Sequence, residues 1–318
     1  MSTSNFSIKV LLIPIVILLF SMQIGICAAN TIYVDQSGSG DYITIEAGIN
    51  AAYVGDVVKV LPGIYYESVR VNKTITLLGS GPHYTTINAS KTTSDAVYMY
   101  SYGATISGFT LTSNQDGITI DNGVIKNCVI CGCSGTGVNI SDSYFNVTLI
   151  NTTIVLNDAY GIYAYVSGTD HGNTSYLTVY SSIIVFNKSN GIYTSIYDTG
   201  CSQGNCARSY LNTTFTYNNI FGNSSNSYGD ISQNPNFIDQ SAGNFALRHD
   251  SPCRDSGKPG PTFNDPDGTR NDMGAYGGPD TAAYWPYSEG PTITDIYVSP
   301  ASVPKGGKIT IKAKARVR

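Results

Sequence analysis

Charge is scarce in this chain. Lys and Arg number 18 and Asp and Glu 22 in 318 residues, leaving a net charge of −4, so nothing in it suggests a phosphate-backbone partner and nucleic acid is not an expected ligand. Histidine is also scarce, with 3 in the chain, and the supply of catalytic bases and acids is correspondingly thin. Gly, Asn, Ser, Thr and Tyr are plentiful instead. The length would permit two ordinary domains, but a solenoid escapes that limit because its core grows along one axis. One long domain is the expectation.

What the chain has is an internal repeat. Five eleven-residue phrases align as ATISGFTLTSN (104–114), GVIKNCVICGC (123–133), VTLINTTIVLN (147–157), LTVYSSIIVFN (177–187) and TTFTYNNIFGN (213–223). Their eighth position is Leu111, Ile130, Ile154, Ile184 and Ile220, and their third is Ile106, Ile125, Leu149, Val179 and Phe215. The first four are followed by a Gly-initiated phrase: DGITI (116–120), TGVNI (136–140), YGIYA (160–164) and NGIYT (190–194). These phrases are strand-length, β-branched and bounded by turn residues, so one turn of the repeat holds short strands and no helix. Such a unit buries its apolar face only by stacking on its neighbours, which is the physical case for an all-β parallel β-helix. The closing Asn114, Asn157, Asn187 and Asn223 fit a stacked amide ladder, interrupted at Cys133.

The first residues read as a secretion signal, residues 1–29, with Lys9 before the apolar run VLLIPIVILLF (10–20) and cleavage after Ala28 or Ala29. The competing reading is an uncleaved anchor, since Val10 to Ala29 is nearly long enough to span a bilayer. Ile26 is too large for the residue before a lipidated cysteine, which argues against lipidation at Cys27. With the signal removed, no membrane span is expected and the location is extracellular or cell surface. Six cysteines remain. Cys201 and Cys206 flank the short polar loop SQGN and are read as a disulfide. Cys128, Cys131 and Cys133 are read as core thiols in repeat positions, against an alternative of metal ligands. Sequons begin at Asn72, Asn88, Asn139, Asn146, Asn151, Asn173, Asn187, Asn212 and Asn223.

From Thr31 the expected order is strand TIYVD, turn GSGD, a short amphipathic helix from Ile43 to Tyr53 that caps the open end of the solenoid, and strand DVVKVLPG. Here GSGDY, GDVVKVLPGIYYESVRV and ITLLGSG resemble the opening coils of right-handed parallel β-helix proteins of the pectin-lyase-like superfamily. Gly63, Tyr65 and Glu67 are also similar to a G-x-Y-x-E element of pectin methylesterases. The catalytic motifs of those esterases, of the QDT, DFIFG and LGRPW type, are missing, so Glu67 is read as a structural partner of the first coil. The handedness rests on this resemblance and on the general sense of parallel crossovers. Residues 229–257 and 265–279 resemble the closing segment of secreted prokaryotic β-helix proteins, which gives a solenoid over 30–280. Both resemblances imply a fold and leave the activity open, since lyases, hydrolases, epimerases and surface proteins share it. Residues 281–291 form a linker, and 292–318 resemble the first two strands of an immunoglobulin-like module, too few for a sandwich.

Asp265, Asp267 and Asp272 around Gly268 allow two readings, a Ca²⁺ site or an Asp-capped turn with Arg270 paired to a carboxylate. No other cofactor is implied. The connections after the Gly-initiated phrases lengthen down the stack, as DN, SDSYFN, YVSGTDHGNTSY and SIYDTGCSQGNCARSYLN, and insertions at one repeat position emerge on one face. A groove made by 141–146, 165–176 and 195–212 is therefore the expected ligand site, centred on Asp170, His171, Asp198 and Arg208, which would also be the catalytic residues of an enzyme. Asp142, Tyr144, Tyr165, Tyr176, Tyr197 and Tyr210 would bind substrate, Tyr rings lying under sugar rings and Arg208 on a uronate carboxylate. Three functions stay open. The first is a β-helix that holds a polysaccharide or cell-surface glycan, or serves as an envelope scaffold, without catalysis. The second is a lyase or glycosidase, and the third a purely structural stalk.

Overall fold

The computed structural model describes residues 29–167, 173–197, 209–285, 292–299, 307–308 and 310–316. The first strands, Thr31–Val34 and Val57–Val60, open a parallel sheet, A, that continues through Thr76–Leu78, Thr105–Ser107, Asn122–Lys126, Asn146–Ile150, Thr174–Tyr180 and Tyr210–Thr216. Sheet B runs from Gly63–Tyr65 through Val129–Cys131, Thr153–Val155 and Ile183–Val185 to Asn219–Phe221. Sheet C runs through Val69–Val71, Val97–Met99, Ile118–Ile120, Val138–Asp142, Ile162–Ser167 and Ile192–Tyr197. Each coil passes from A to B to C, and the next coil pairs parallel to it in all three. This is a parallel β-helix.

The repeat positions become internal columns. Leu77, Ile106, Ile125, Leu149, Val179 and Phe215 stack in register in sheet A. Ile87, Leu111, Ile130, Ile154, Ile184 and Ile220 stack in sheet B, all fully buried. Burying each such side chain stabilises the coil by about 1.5–3 kcal/mol, which an isolated coil could not gain. The glycine that opens each phrase of sheet C follows from this packing. A Cβ on Gly117, Gly137, Gly161 or Gly191 would stand 2.4, 2.5, 2.5 or 2.6 Å from Cγ2 of Ile130, Ile154, Ile184 or Ile220 respectively.

The corner between sheets A and B turns on residues of positive φ: Gly108, Asn127, Asn151, Ser181 and Tyr217 occupy one coil position at 78°, 47°, 45°, 53° and 58°. The corner between B and C carries the amide ladder, in which Asn157 Nδ2 donates to Asn187 Oδ1 and Asn187 Nδ2 to Asn223 Oδ1, both at 2.9 Å. At the interruption, the backbone N–H of Cys133 donates to Asn157 Oδ1 at 3.0 Å. Asn151 and Asn187 are each 2 % exposed, so neither sequon can carry a glycan in the folded chain.

Helix α1 covers Ile45–Ala51, shorter at both ends than the expected Ile43 to Tyr53. Thr44 caps it through a bond from the Ala47 N–H, and Ala52 is already extended. Ile45 and Ile49 are fully buried, and a Cβ on Gly48 would meet Val34 Cγ2 at 2.7 Å, so the helix closes the first coil. Glu67 accepts from the Ile45 and Glu46 N–H groups at 3.0 and 3.1 Å. It caps the helix, the structural role expected of it.

The closing segment lies on the outer face of sheet B. Val129, Val155, Ile183 and Val185 point outward there and are buried against Phe237, Phe245, Cys253, Met273, Ala275 and Tyr276. Corner residues hold it in place. Asn127 Nδ2 donates to Gly277 O at 2.7 Å, Asn151 Nδ2 to Asp272 O at 2.7 Å, and the Gly274 N–H to Ser181 O at 2.8 Å. From Val129 onward the outer face of sheet B is thereby covered, while Ile64 on its first strand stays exposed. Farther on, Thr292–Ser299 and Thr310–Arg316 pair as an antiparallel hairpin.

Candidate functional site

Sheet C keeps its outer face open. Strand alternation turns Arg70, Tyr98, Thr119, Asn139, Tyr163 and Tyr193 outward in one register column across six successive strands. Beside it, Ser141, Tyr165 and Ser195 form a second column. Tyr163 lies on Tyr193 with centroids 5.4 Å apart and planes 7° from parallel, and Tyr160 contacts both at 5.3 and 5.4 Å. Tyr165 extends this group to Tyr163 at 6.3 Å and to Tyr197 at 6.5 Å. Toward the N-terminal end, Tyr98 stacks on Tyr100 at 6.1 Å, with the Arg70 guanidinium 5.7 Å from the Tyr98 ring.

Carboxylates border this aisle on both sides. Where the chain enters sheet C, Asp95 accepts from Thr119 Oγ1 at 2.6 Å and from the Asp116 N–H at 3.1 Å. Asp116 repeats the bridge one coil on, accepting from Asn139 Nδ2 at 2.7 Å and the Thr136 N–H at 2.6 Å. Burial, with the charge of Asp116 adding to it, holds the Asp95 carboxyl above its ordinary value. Where the chain leaves the sheet stand Asp121 and Asp142. Burial first and the charge of Asp142 second push the Asp121 carboxyl up to about 6. Asp142 accepts from the Ser143 N–H at 2.6 Å, and Tyr144 beside it faces Tyr102 with centroids 6.2 Å apart.

Between the two aromatic groups the floor is polar. A depression of about 270 Å³ is lined by Thr136, Asn139, Ser141, Ala159, Tyr160 and Tyr163. Asn139 Oδ1 lies buried at its edge with no hydrogen-bond partner among the described residues. An unpartnered buried acceptor costs roughly 1–3 kcal/mol, which a hydroxyl donor from a ligand would offset.

The site foreseen at the lengthening corner is only partly this one. Asp170, His171, Asp198 and Arg208, together with Cys201 and Cys206, lie outside the described residues. Asp142, Tyr144, Tyr165 and Tyr197 border or stand on the sheet C aisle. Tyr176 and Tyr210 do not join them: they pair with Asn212 and Thr174 in sheet A and project from that sheet. Much of what read as insertion is strand, because YVS and SIY alternate in pattern and pair as Tyr165 with Ser195, Val166 with Ile196 and Ser167 with Tyr197.

The calcium candidates have other bonds. Asp265 accepts from the Gly278 and Asp272 N–H groups at 2.6 and 2.9 Å, Asp272 from the Asp255 N–H at 2.7 Å, and Asp267 from Thr269. Among the described residues no three His, Cys, Asp or Glu side chains converge on a point that could hold a metal. Arg270 bonds the carbonyls of Gly257 and Ser256 in place of the expected carboxylate. Cys128, Cys131, Cys133 and Cys253 are free thiols, and burial pushes Cys128 and Cys253 up to about 12. Among the described residues no helix is long and apolar enough to cross a membrane.

Sequence reasoning missed Asp95, Asp116 and Asp121. The signal was there: SDAVYM places Asp95, Ala96 and Val97 opposite the Asp116, Gly117 and Ile118 of QDGITI. A repeat counted from Ala104 leaves that earlier coil outside the alignment.

Compared with known proteins, the chain matches no family model and no curated protein. Among solved structures a pectin methylesterase from carrot is similar, at 16 % identity over 64 % of this chain and 88 % of that one, with a TM-score of 0.33. No residue role is carried across from it.

Proposed function

We propose that this is an exported, surface-located parallel β-helix that binds a polysaccharide on the open face of sheet C. The stacked Tyr163 and Tyr193, in one column with Thr119 and Asn139, carry this reading. Tyrosine rings pack on the C–H faces of sugar rings, while Thr, Asn, Ser and carboxylate oxygens bond hydroxyls, and this line carries rings at both ends with Thr119 and Asn139 between them. The apolar run at residues 10–20 supports export. A screen of the secreted chain against immobilised polysaccharides, scoring both retention and released ends, tests the proposal. Retention by at least one glycan is expected; absence of binding across the array rejects it.

One observation favours a second reading, glycoside hydrolysis. That chemistry needs one carboxyl protonated and one ionised at working pH, and Asp121 at about 6 stands near Asp142. Released reducing ends that disappear in Asp121→Asn would select this reading over binding alone.

A further inference from the structure

The face of sheet C that serves the proposed function also restricts what it can hold. Among the described residues the two columns and their borders carry the acidic groups Asp95, Asp116, Asp121 and Asp142, with Arg70 as a cation at one end of the column. A uronate chain laid along this aisle would bring one carboxylate per sugar against those borders. A neutral chain brings hydroxyl donors, which the carboxylates and the orphan Asn139 Oδ1 accept. The repeat along the axis also fits. Successive strands stand about 4.8 Å apart, and the Tyr163 and Tyr193 rings are 5.4 Å apart, close to the advance of one pyranose residue in an extended chain. Five strands separate into Tyr98, Thr119, Asn139, Tyr163 and Tyr193, so rings stand at both ends and hydrogen-bonding groups between them.

We infer that the ligand is an uncharged linear polysaccharide lying parallel to the solenoid axis across sheet C, with about one sugar residue per coil between Tyr98 and Tyr193. This rests on the glycan reading above and narrows it to a substrate class and a direction.

Calorimetry with two ladders of oligosaccharides tests it on the intact secreted chain. One ladder is neutral, β-1,4-linked gluco-, manno- and xylo-oligosaccharides from the disaccharide to the octasaccharide; the other is oligogalacturonates of the same lengths. Affinity for a neutral series should rise with each added residue to about the pentasaccharide and then level, because the aisle ends. Uronates of equal length should bind about 10-fold or more weaker at low salt, the gap narrowing as salt screens the borders. In a chain carrying Asp121→Asn and Asp142→Asn, whose melting temperature reports that it folds, the ratio of uronate to neutral affinity should rise about 10-fold, since the repulsion on uronates is removed while neutral chains lose two acceptors; an unchanged ratio overturns the inference. Tighter binding of the uronate ladder, or affinity that levels at one or two sugars, overturns the inference while leaving glycan binding intact. Failure of every oligosaccharide in both ladders and of every arrayed polysaccharide overturns both.

Discussion

Asn157 donates its side-chain amide to Asn187 Oδ1 at 2.9 Å, and the same oxygen takes the Asn157 backbone N–H at 3.1 Å, inside the corner between sheets B and C. One side chain thus closes the turn of the coil before it. Asn187→Ala leaves both donors buried without that acceptor, so unfolding in urea should show a loss of about 2–4 kcal/mol, at about 1–3 kcal/mol per orphaned group. A loss below about 0.5 kcal/mol would mean that the ladder is incidental to stability.

The packing of Gly137 against Ile154 gives a second prediction. Ile154→Ala removes a fully buried side chain and should cost about 2–5 kcal/mol. Gly137→Ala forces a Cβ to 2.5 Å from Ile154 Cγ2 and 2.8 Å from the Gly161 carbonyl, and overpacking should cost about 1–3 kcal/mol. Ile154→Ala should relieve only part of the second penalty, because the carbonyl contact remains. Wild-type stability in either single variant contradicts the stacked core.

These columns were legible because packing constrains them. Inward positions must be apolar whatever the coil, so Leu111, Ile130, Ile154, Ile184 and Ile220 recur as letters in the sequence. The candidate site was not legible in that way. Outward residues of sheet C meet solvent, so the column reads Arg70, Tyr98, Thr119, Asn139, Tyr163, Tyr193 with no common residue type, and only the register joins them. Length added a second difficulty. An added stretch of sequence such as YVS extends a strand or makes a loop according to whether the coil beyond offers a partner, which SIY does.

The thiols should be inert in the native chain. Cys128, Cys133 and Cys253 are buried and their ionisation is suppressed by burial, so a thiol reagent at pH 8 should leave them unmodified until denaturant is added. Cys131, half-buried and pushed up to about 11, should react slowly. We propose in addition that Cys201 and Cys206 form a disulfide in the exported chain. Mass spectrometry after non-reducing digestion should find their peptides joined; finding both alkylated rejects the pair.

Stability should fall as pH rises through the neutral range. Burial pushes Asp265 up to about 8, outweighing its two N–H bonds, and Asp272 up to about 6 against the opposing Asp255 N–H bond and Arg254 charge, with the charges of Asp255 and Asp267 adding to burial. Folded values above the unfolded carboxyl value of about 4 mean that the contribution is complete below that value and is lost as pH climbs through 6 and then 8. Asp121, also raised to about 6, acts in the same sense. Urea midpoints should therefore decline from pH 5 to pH 9, and more shallowly in Asp265→Asn. A midpoint that rises over this interval contradicts the assignment.

The central claim is that the open face of sheet C is where a glycan binds, and a paired comparison of variants tests it most directly. Tyr163→Ala with Tyr193→Ala removes the stacked rings from that face, whereas Tyr176→Ala with Tyr210→Ala removes exposed tyrosines from sheet A. With the best-retained glycan of the array as probe, the first pair should weaken binding by about 10-fold or more, as expected for loss of aromatic contacts, and the second by less than about 2-fold. Equal losses in the two pairs, or a loss confined to the sheet A pair, would place the ligand elsewhere and contradict the account.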